Sequence, residues 1–231
     1  MLTTAPVRPV ELLVEFLETV DTPTLANAIE SCGVRAHHEG FTPLQIRPIY
    51  PELGRLCGYA VTAHVETISR TEPGDNARFI ELYEAVERSP KPAVIAFQEV
   101  GANPDYAAHC GEVMSTIFTR LGARGLVTDS AVRDIPEVRA LRFQYFARGA
   151  VVSHAHFRIV RVGIPVQILG MTVRTGDILH GDENGVLQVP EASLDRLPDA
   201  VAEIRNRERE LMDFVKGPQF TLAGLRGRIV E

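Results

Sequence analysis

Residues 101–150 read GANPDYAAHCGEVMSTIFTRLGARGLVTDSAVRDIPEVRALRFQYFARGA, and this stretch decides the fold. At its centre a short apolar run, Gly125-Leu126-Val127-Thr128, stops at Asp129-Ser130-Ala131-Val132-Arg133-Asp134. A brief apolar run that ends in polar turn formers is the pattern of a buried strand with an exposed C-terminal end. Ligands gather at such ends in α/β sheets, and Arg133 and Asp134 stand there side by side. A guanidinium can hold a carboxylate through two parallel hydrogen bonds. A neighbouring carboxylate can hold a hard divalent cation. The pair suits an oxoacid bound to a metal.

Working upstream, Gly111-Glu112-Val113-Met114 opens a helical pattern. Val113, Ile117 and Leu121 are apolar at helical spacing, and Gly122 and Gly125 punctuate the exit. A helix start offers free backbone N–H groups to an anion. The stretch therefore offers an anion nest, the Glu112 carboxylate, a guanidinium and a second carboxylate. A plain βαβ unit with ion pairs at its strand ends fits the same residues.

Further upstream, residues 9–20 carry Leu12, Leu13, Phe16, Leu17 and Val20 on one helical face. Asp21 or Thr22 caps a second helix with Pro23 in its first turn, and Gly33 stops it. Residues 34–55 hold Pro43, Pro48 and Pro51 and read as irregular. A strand is expected over 58–65, a turn over 71–76, a helix over 77–87 and a buried strand over 92–97. Downstream, a short helix follows Arg133-Asp134 over 135–141. Strands are expected near 143–148, 150–154, 159–162, 166–169, 171–173, 178–179 and 185–189, the last reached through the Asn184-Gly185 turn. A long charged helix fills 191–215, and the tail beyond Gly217 has no clear pattern. Helix-bearing connections followed by strands without them predict a layered α/β domain rather than a doubly wound sheet. With no repeat or linker, the whole chain, 1–231, reads as one domain with its core over about 10–215.

The composition narrows the function classes. An apolar share of 45% and a charged share of 23% are those of an ordinary globular protein. A net charge of −6 argues against a general nucleic-acid binder. Cys32, Cys57 and Cys110 are dispersed and odd in number, which fits reduced thiols better than a disulfide framework. Glu11, Glu15 and Glu18 interrupt the apolar N-terminal run, so it does not read as a signal peptide. No run approaches the ~18 apolar residues of a membrane span. The expectation is a cytoplasmic protein with no membrane partner.

Other constellations compete with the Arg133-Asp134 pair. His154 and His156 would face one side of a strand, but zinc wants three or four ligands, so structural or surface histidines are the preferred reading. His37 and His38 read as solvated loop residues. Cys110, beside His109, is a possible nucleophile but reads better as a packing residue. Gly74-Asp75-Asn76 lines the active site or forms a plain capped turn. Gly122 and Gly125 make no dinucleotide fingerprint. The alternating Arg and Glu residues of 203–210 read as a solvated helix face.

The motif GEVMSTIFTRLGARGLVTDSAVRDI resembles the centre of the proteins related to 4-hydroxy-4-methyl-2-oxoglutarate aldolase. These are also grouped with the regulator of ribonuclease E activity A, and were once mislabelled demethylmenaquinone methyltransferases. The family pattern is a helix start followed by Gly-x-Val-x-Asp-Gly-x-x-Arg-Asp. This chain has Ser130 where glycine is usual, so a turn that needs positive φ would have to shift. Residues 21–28, 58–63, 74–76, 176–186 and Pro190 resemble further parts of the family. The resemblance implies a swivelling β/β/α sandwich with flanking N- and C-terminal helices, assembled as trimers or hexamers with the site near a subunit interface. It also implies a 2-oxo acid substrate, and it allows an acidic residue of the 203–210 face to reach a neighbouring subunit's site.

The expected chemistry is that of a metal-dependent aldolase or decarboxylase. Asp134, and Glu112 through water, would hold Mg2+ or Mn2+, which often keeps several waters. Arg133 would clamp the substrate carboxylate, with Gly111 and the backbone N–H groups of Val113, Met114 and Ser115 binding it and Asn76 nearby. A metal-bound water, oriented by Glu112, would pass the proton to the enolate. No lysine sits at the motif, so a Schiff-base route is disfavoured. The alternative is a non-catalytic regulator that binds a ribonuclease; such a protein would not need Asp134, which this chain keeps. A third reading is a structural oligomer with a degenerate site.

Overall fold

The protein, seen as a computed structural model, is described over residues 10–68 and 76–230. Helices α1 (Val10–Glu18) and α2 (Thr22–Cys32) lead the chain. Asp21 caps α2 by accepting the Thr24 N–H at 2.9 Å. Gly33, at φ 64, ends it in the left-handed region, as its sequence signals require. After the short strand β1 (Arg47–Pro48) the chain alternates strand and helix: β2 (Leu56–Ile68), α3 (Asn76–Arg88), β3 (Ala93–Glu99), α4 (Glu112–Arg120) and β4 (Ala123–Thr128). Then come β5 (Ala131–Val132), α5 (Ile135–Ala140) and β6 (Gln144–Ala147). Strands β2, β3, β4 and β6 pair in parallel in that order.

The second half is strand-rich. It runs through β7 (Gly149–Ala150), β8 (His156–Val162), β9 (Val166–Ile168), β10 (Met171–Val173), β11 (Ile178–Asp182) and β12 (Gly185–Val189). The first residues of β2 pair with β11 and its far half pairs with β8, both antiparallel. The sheet order is β1-β6-β4-β3-β2-β11-β12. Its two ends approach each other, because Thr42 donates its N–H to the Val186 carbonyl at 2.8 Å, just ahead of β1. The result is a nearly closed mixed sheet with flanking helices.

Alternation along the strands sorts the core. On β3, Ala93, Ile95 and Phe97 join the cluster beneath α3, α4 and α5. Val94 and Ala96 turn the other way and pack with Ile168, Met171 and Val173 from β9 and β10. A third cluster joins α1, α2 and the C-terminal helix α6 (Leu197–Lys216) to β11 and β12. Each large apolar side chain buried in these clusters contributes about 1.5–3 kcal/mol. The three crossover helices share one face, so the parallel unit is layered and not doubly wound.

Three local expectations are corrected. The strand expected over 150–154 ends at Ala150; Ala155 takes φ 45, which no strand accommodates. The helix expected from 191 begins at Leu197, because residues 191–193 form a separate 3-10 turn ahead of Pro198 in the first turn of α6. The tail forms a further helix, α7 (Leu222–Val230). Gly74 and Asp75 lie outside the described residues, and Asn76 enters only as the first residue of α3. Among the described residues no helix is long and apolar enough to cross a membrane.

Candidate active site

Residues 108–110 run beside β5 as an added extended segment. His109 donates its N–H to the Ala131 carbonyl at 2.9 Å, and Arg133 donates its N–H to the Cys110 carbonyl at 3.0 Å. This pairing sets the start of α4 against the Arg133-Asp134 corner. Gly111 is the N-cap of α4 and has no side chain to cap with. Asp134 supplies the cap from the other segment, its Oδ2 accepting the Glu112 N–H at 2.8 Å. Arg133 Nε lies 3.6 Å from the same oxygen. A Cβ added at Gly111 would fall 2.4 Å from Asp134 Oδ2, so only glycine admits this approach. Asp134 itself sits at φ 58, ψ 50. Left-handed backbone at a non-glycine residue costs about 1–2 kcal/mol and collects at functional sites.

A cleft of about 350 Å³ opens over this corner. Arg133, Asp134, Gly111, Val113 and Met114 line it, joined by Phe79 of α3 and Phe157 of β8. The N–H groups of Val113 and Met114 stand in the first turn of α4, where a helix leaves its donors without internal partners. Glu112 contributes its backbone to Asp134 while its side chain is exposed and absent from the lining. Ser115 is turned away: its N–H goes to the Gly111 carbonyl, and its buried hydroxyl lies 2.8 Å from Tyr145 Oη. Cys110 reaches the lining but is buried, and burial pushes its thiol up to about 11. It therefore carries no thiolate at neutral pH.

Asp134 Oδ1 takes no hydrogen-bond partner among the described residues and remains an oxygen donor at the cleft. Among those residues no group of three or more His, Cys, Asp or Glu is placed to hold an ion. This donor set does not suit a zinc cage. It suits a hard cation that keeps most of its waters and takes one or two carboxylates.

Sequence reasoning missed two features. His154, Ala155 and His156 line the same cleft as Arg133 and Asp134, where a surface or structural role was preferred. The His-x-His spacing was visible, but the left-handed turn at Ala155 that carries the segment over the site was not. Beneath the cleft, His109 Nε2 donates to Glu99 Oε2 at 2.8 Å, and His109 Nδ1 lies 3.0 Å from Thr128 Oγ1. Burial raises the Glu99 carboxyl, but hydrogen bonds from His109, Thr67 and Gly101 outweigh it and hold it below the usual range. Burial pushes the neighbouring Asp129 up to about 6, even though its Oδ1 accepts the Glu99 N–H at 2.7 Å. Ser130 is fully buried and is not among the positive-φ residues. Its hydroxyl, 3.1 Å from the Ala107 carbonyl and close to that of Pro104, anchors the 104–107 loop. The Ser130 turn therefore needs no glycine.

The fold and the sequence both have relatives. Streptomyces coelicolor RraAS2, titled an unusual member of the RNase ES inhibitor RraA protein family, superposes with a TM-score of 0.68 at 21% identity, covering 89% of this chain and 98% of its own. That likeness is one of fold. Protein DlpA of Legionella pneumophila is 25% identical over 201 residues, which is 86% of this chain but 31% of that longer protein. A Halalkalibacterium halodurans protein provisionally named 4-hydroxy-4-methyl-2-oxoglutarate aldolase is 27% identical over 215 residues, 89% of this chain and 91% of that protein. The family model described as RraA-like, Aldolase/RraA, matches residues 22–188, from the capped start of α2 to β12 and across the whole Arg133-Asp134 corner, and the chain belongs to that family.

Proposed function

We propose that this chain is a divalent-metal-dependent carbon–carbon lyase that cleaves 4-hydroxy-2-oxo acids to pyruvate and decarboxylates oxaloacetate. One observation carries the reading: the Asp134 carboxylate is fixed at the start of α4, against Gly111 and beside Arg133. Asp134 would hold Mg2+ or Mn2+ by its free oxygen, with Glu112 acting at most through water. When bound, the cation supplies Lewis-acid polarisation of the 2-oxo group.

The chain's own groups do the rest. Arg133 turns Nε toward Asp134, which leaves its terminal nitrogens for the substrate carboxylate and the charge that develops as the bond breaks. The Val113 and Met114 N–H groups bind the same carboxylate. Phe79, Phe157 and Met114 shield that end from water. The small-molecule role agrees with the name of the H. halodurans relative.

A coupled pyruvate-release assay on 4-hydroxy-2-oxo acids and oxaloacetate, with and without Mg2+ or Mn2+, tests the proposal. Metal-dependent release supports it. No release under any condition would leave the ribonuclease-regulator reading in its place.

A further inference from the structure

The segment carrying His154 is built onto the site. Val151 donates its N–H to the Val132 carbonyl at 3.0 Å, and Ala108 donates its N–H to the Ser153 carbonyl at 2.9 Å. These bonds tie residues 151–153 to both segments that form the Arg133-Asp134 corner. The chain then turns through Ala155 at φ 45. The turn is held by the Ala155 N–H donating to Ser153 Oγ at 2.9 Å and by His154 Nδ1 bonding the Ala155 carbonyl at 2.6 Å. A carbonyl oxygen only accepts, so Nδ1 carries the proton in that bond. In the neutral ring Nε2 then presents a lone pair. A strained turn and a hydrogen bond that selects the tautomer thus converge on one exposed imidazole that lines the cleft with Arg133 and Asp134.

We infer that His154 Nε2 is the general base that removes the C4 hydroxyl proton during cleavage. This rests on the lyase reading above. The proton passes from the hydroxyl to Nε2, and the O–H electron pair becomes the second bond of the new C4 carbonyl. The C3–C4 pair becomes the enolate of pyruvate. The enolate takes a proton at C3 from water, and the imidazolium returns its proton to water, so charge and atoms balance. Decarboxylation of oxaloacetate reaches the same enolate by loss of CO2, with no hydroxyl proton to remove. A base at His154 is therefore needed by one reaction and not by the other.

The test compares both reactions in wild type, His154→Gln and His156→Gln, each with Mg2+ or Mn2+. In His154→Gln, kcat for cleavage should fall by about 10²-fold or more, the usual contribution of a positioned base, while oxaloacetate decarboxylation should fall far less. His156→Gln should lose far less cleavage activity. Nitrogen-15 spectra of the metal-free protein give an independent readout: the neutral His154 ring should show a protonated Nδ1 and an unprotonated Nε2. Equal losses in both reactions, a larger loss at His156, or a predominantly Nε2-protonated ring would overturn the assignment. Failure of wild type to turn over either substrate would overturn the lyase reading and this inference together. Decarboxylation without any effect at His154 on cleavage would overturn this inference alone.

Discussion

Asp134 Oδ2 accepts the backbone N–H of Glu112 at 2.8 Å across 22 residues of sequence. One carboxylate thus caps a helix that has only glycine at its own N-cap, and aims its second oxygen at the cleft. Capping and left-handed backbone act on the same side chain, so its substitutions separate the roles. Asp134→Asn keeps tolerance of the left-handed region and an acceptor for Glu112, and should lower stability by less than about 1 kcal/mol. Asp134→Ala loses both and should cost about 1–2 kcal/mol. Both should abolish metal-dependent pyruvate release, and calorimetry with Mn2+ should show the site gone. Unchanged Mn2+ affinity in both would move the ion elsewhere in the cleft.

Gly111→Ala is the steric counterpart. Its Cβ would meet Asp134 Oδ2 at 2.4 Å and Arg133 Nε at 3.0 Å, so the corner must open. At φ −141 the backbone itself accepts alanine without strain. Activity should drop sharply while the melting temperature changes by only a few degrees. Wild-type kinetics in this variant would mean that the close approach does not matter to turnover.

Arg133→Lys should not restore activity lost in Arg133→Ala. Lysine is a point charge without the planar fork that keeps Nε beside Asp134 and would offer its other nitrogens to a substrate carboxylate. Near wild-type kcat/KM in the lysine variant would remove Arg133 from substrate binding.

Much of this site was legible in the sequence because it is local. Arg133-Asp134, Gly111 and the α4 start lie in one strand–helix–strand unit whose periodicity and glycines announce themselves. Ser115 was misplaced because one residue around a helical turn separates the lining from the core. The His154 segment was illegible for another reason: nothing local favours positive φ at an alanine, and hydrogen bonds to the Val132 carbonyl and from the Ala108 N–H impose the path. The buried Glu99–His109 pair was equally hidden, since its partners come from β2, β3 and β4 and meet only in the fold.

That buried cluster has a pH signature. Asp129 is raised from 3.8 in the unfolded chain to about 6 in the fold, first by burial. A raised folded value means that the stability its protonated form contributes is full below pH 3.8 and is lost as pH climbs through about 6. Above that the ionised carboxylate costs roughly 3 kcal/mol. Asp129→Asn cannot ionise and keeps an acceptor for the Glu99 N–H. Its melting temperature relative to wild type should therefore rise steadily between pH 4 and pH 7. A difference that stays flat over that range would show that Asp129 ionises in the fold as easily as in the unfolded chain.

The last prediction concerns assembly. Helix α6 buries Leu197, Val201 and Ile204 against the molecule, and no residue beyond Ile204 in it is buried. Met212, Val215, Phe220, Leu222 and Ile229 are all exposed. The sequence resemblance implies a trimer or hexamer with each site near an interface, and this C-terminal arm carries apolar surface that a second copy would cover. Val113, at 73% exposure on the lining of the cleft, is a second such residue next to the site. We expect light scattering at micromolar concentration to report a ring of three chains or a pair of rings. The melting temperature should rise with protein concentration, because association adds to the stability of the native state. Removing residues 217–231 should weaken assembly, and kcat should fall with it if an acidic residue of α6 reaches the neighbouring site, because that site is lost with the interface. A fully active monomer of 25.4 kDa would sink the shared-site idea and any catalytic role for the acidic residues of α6.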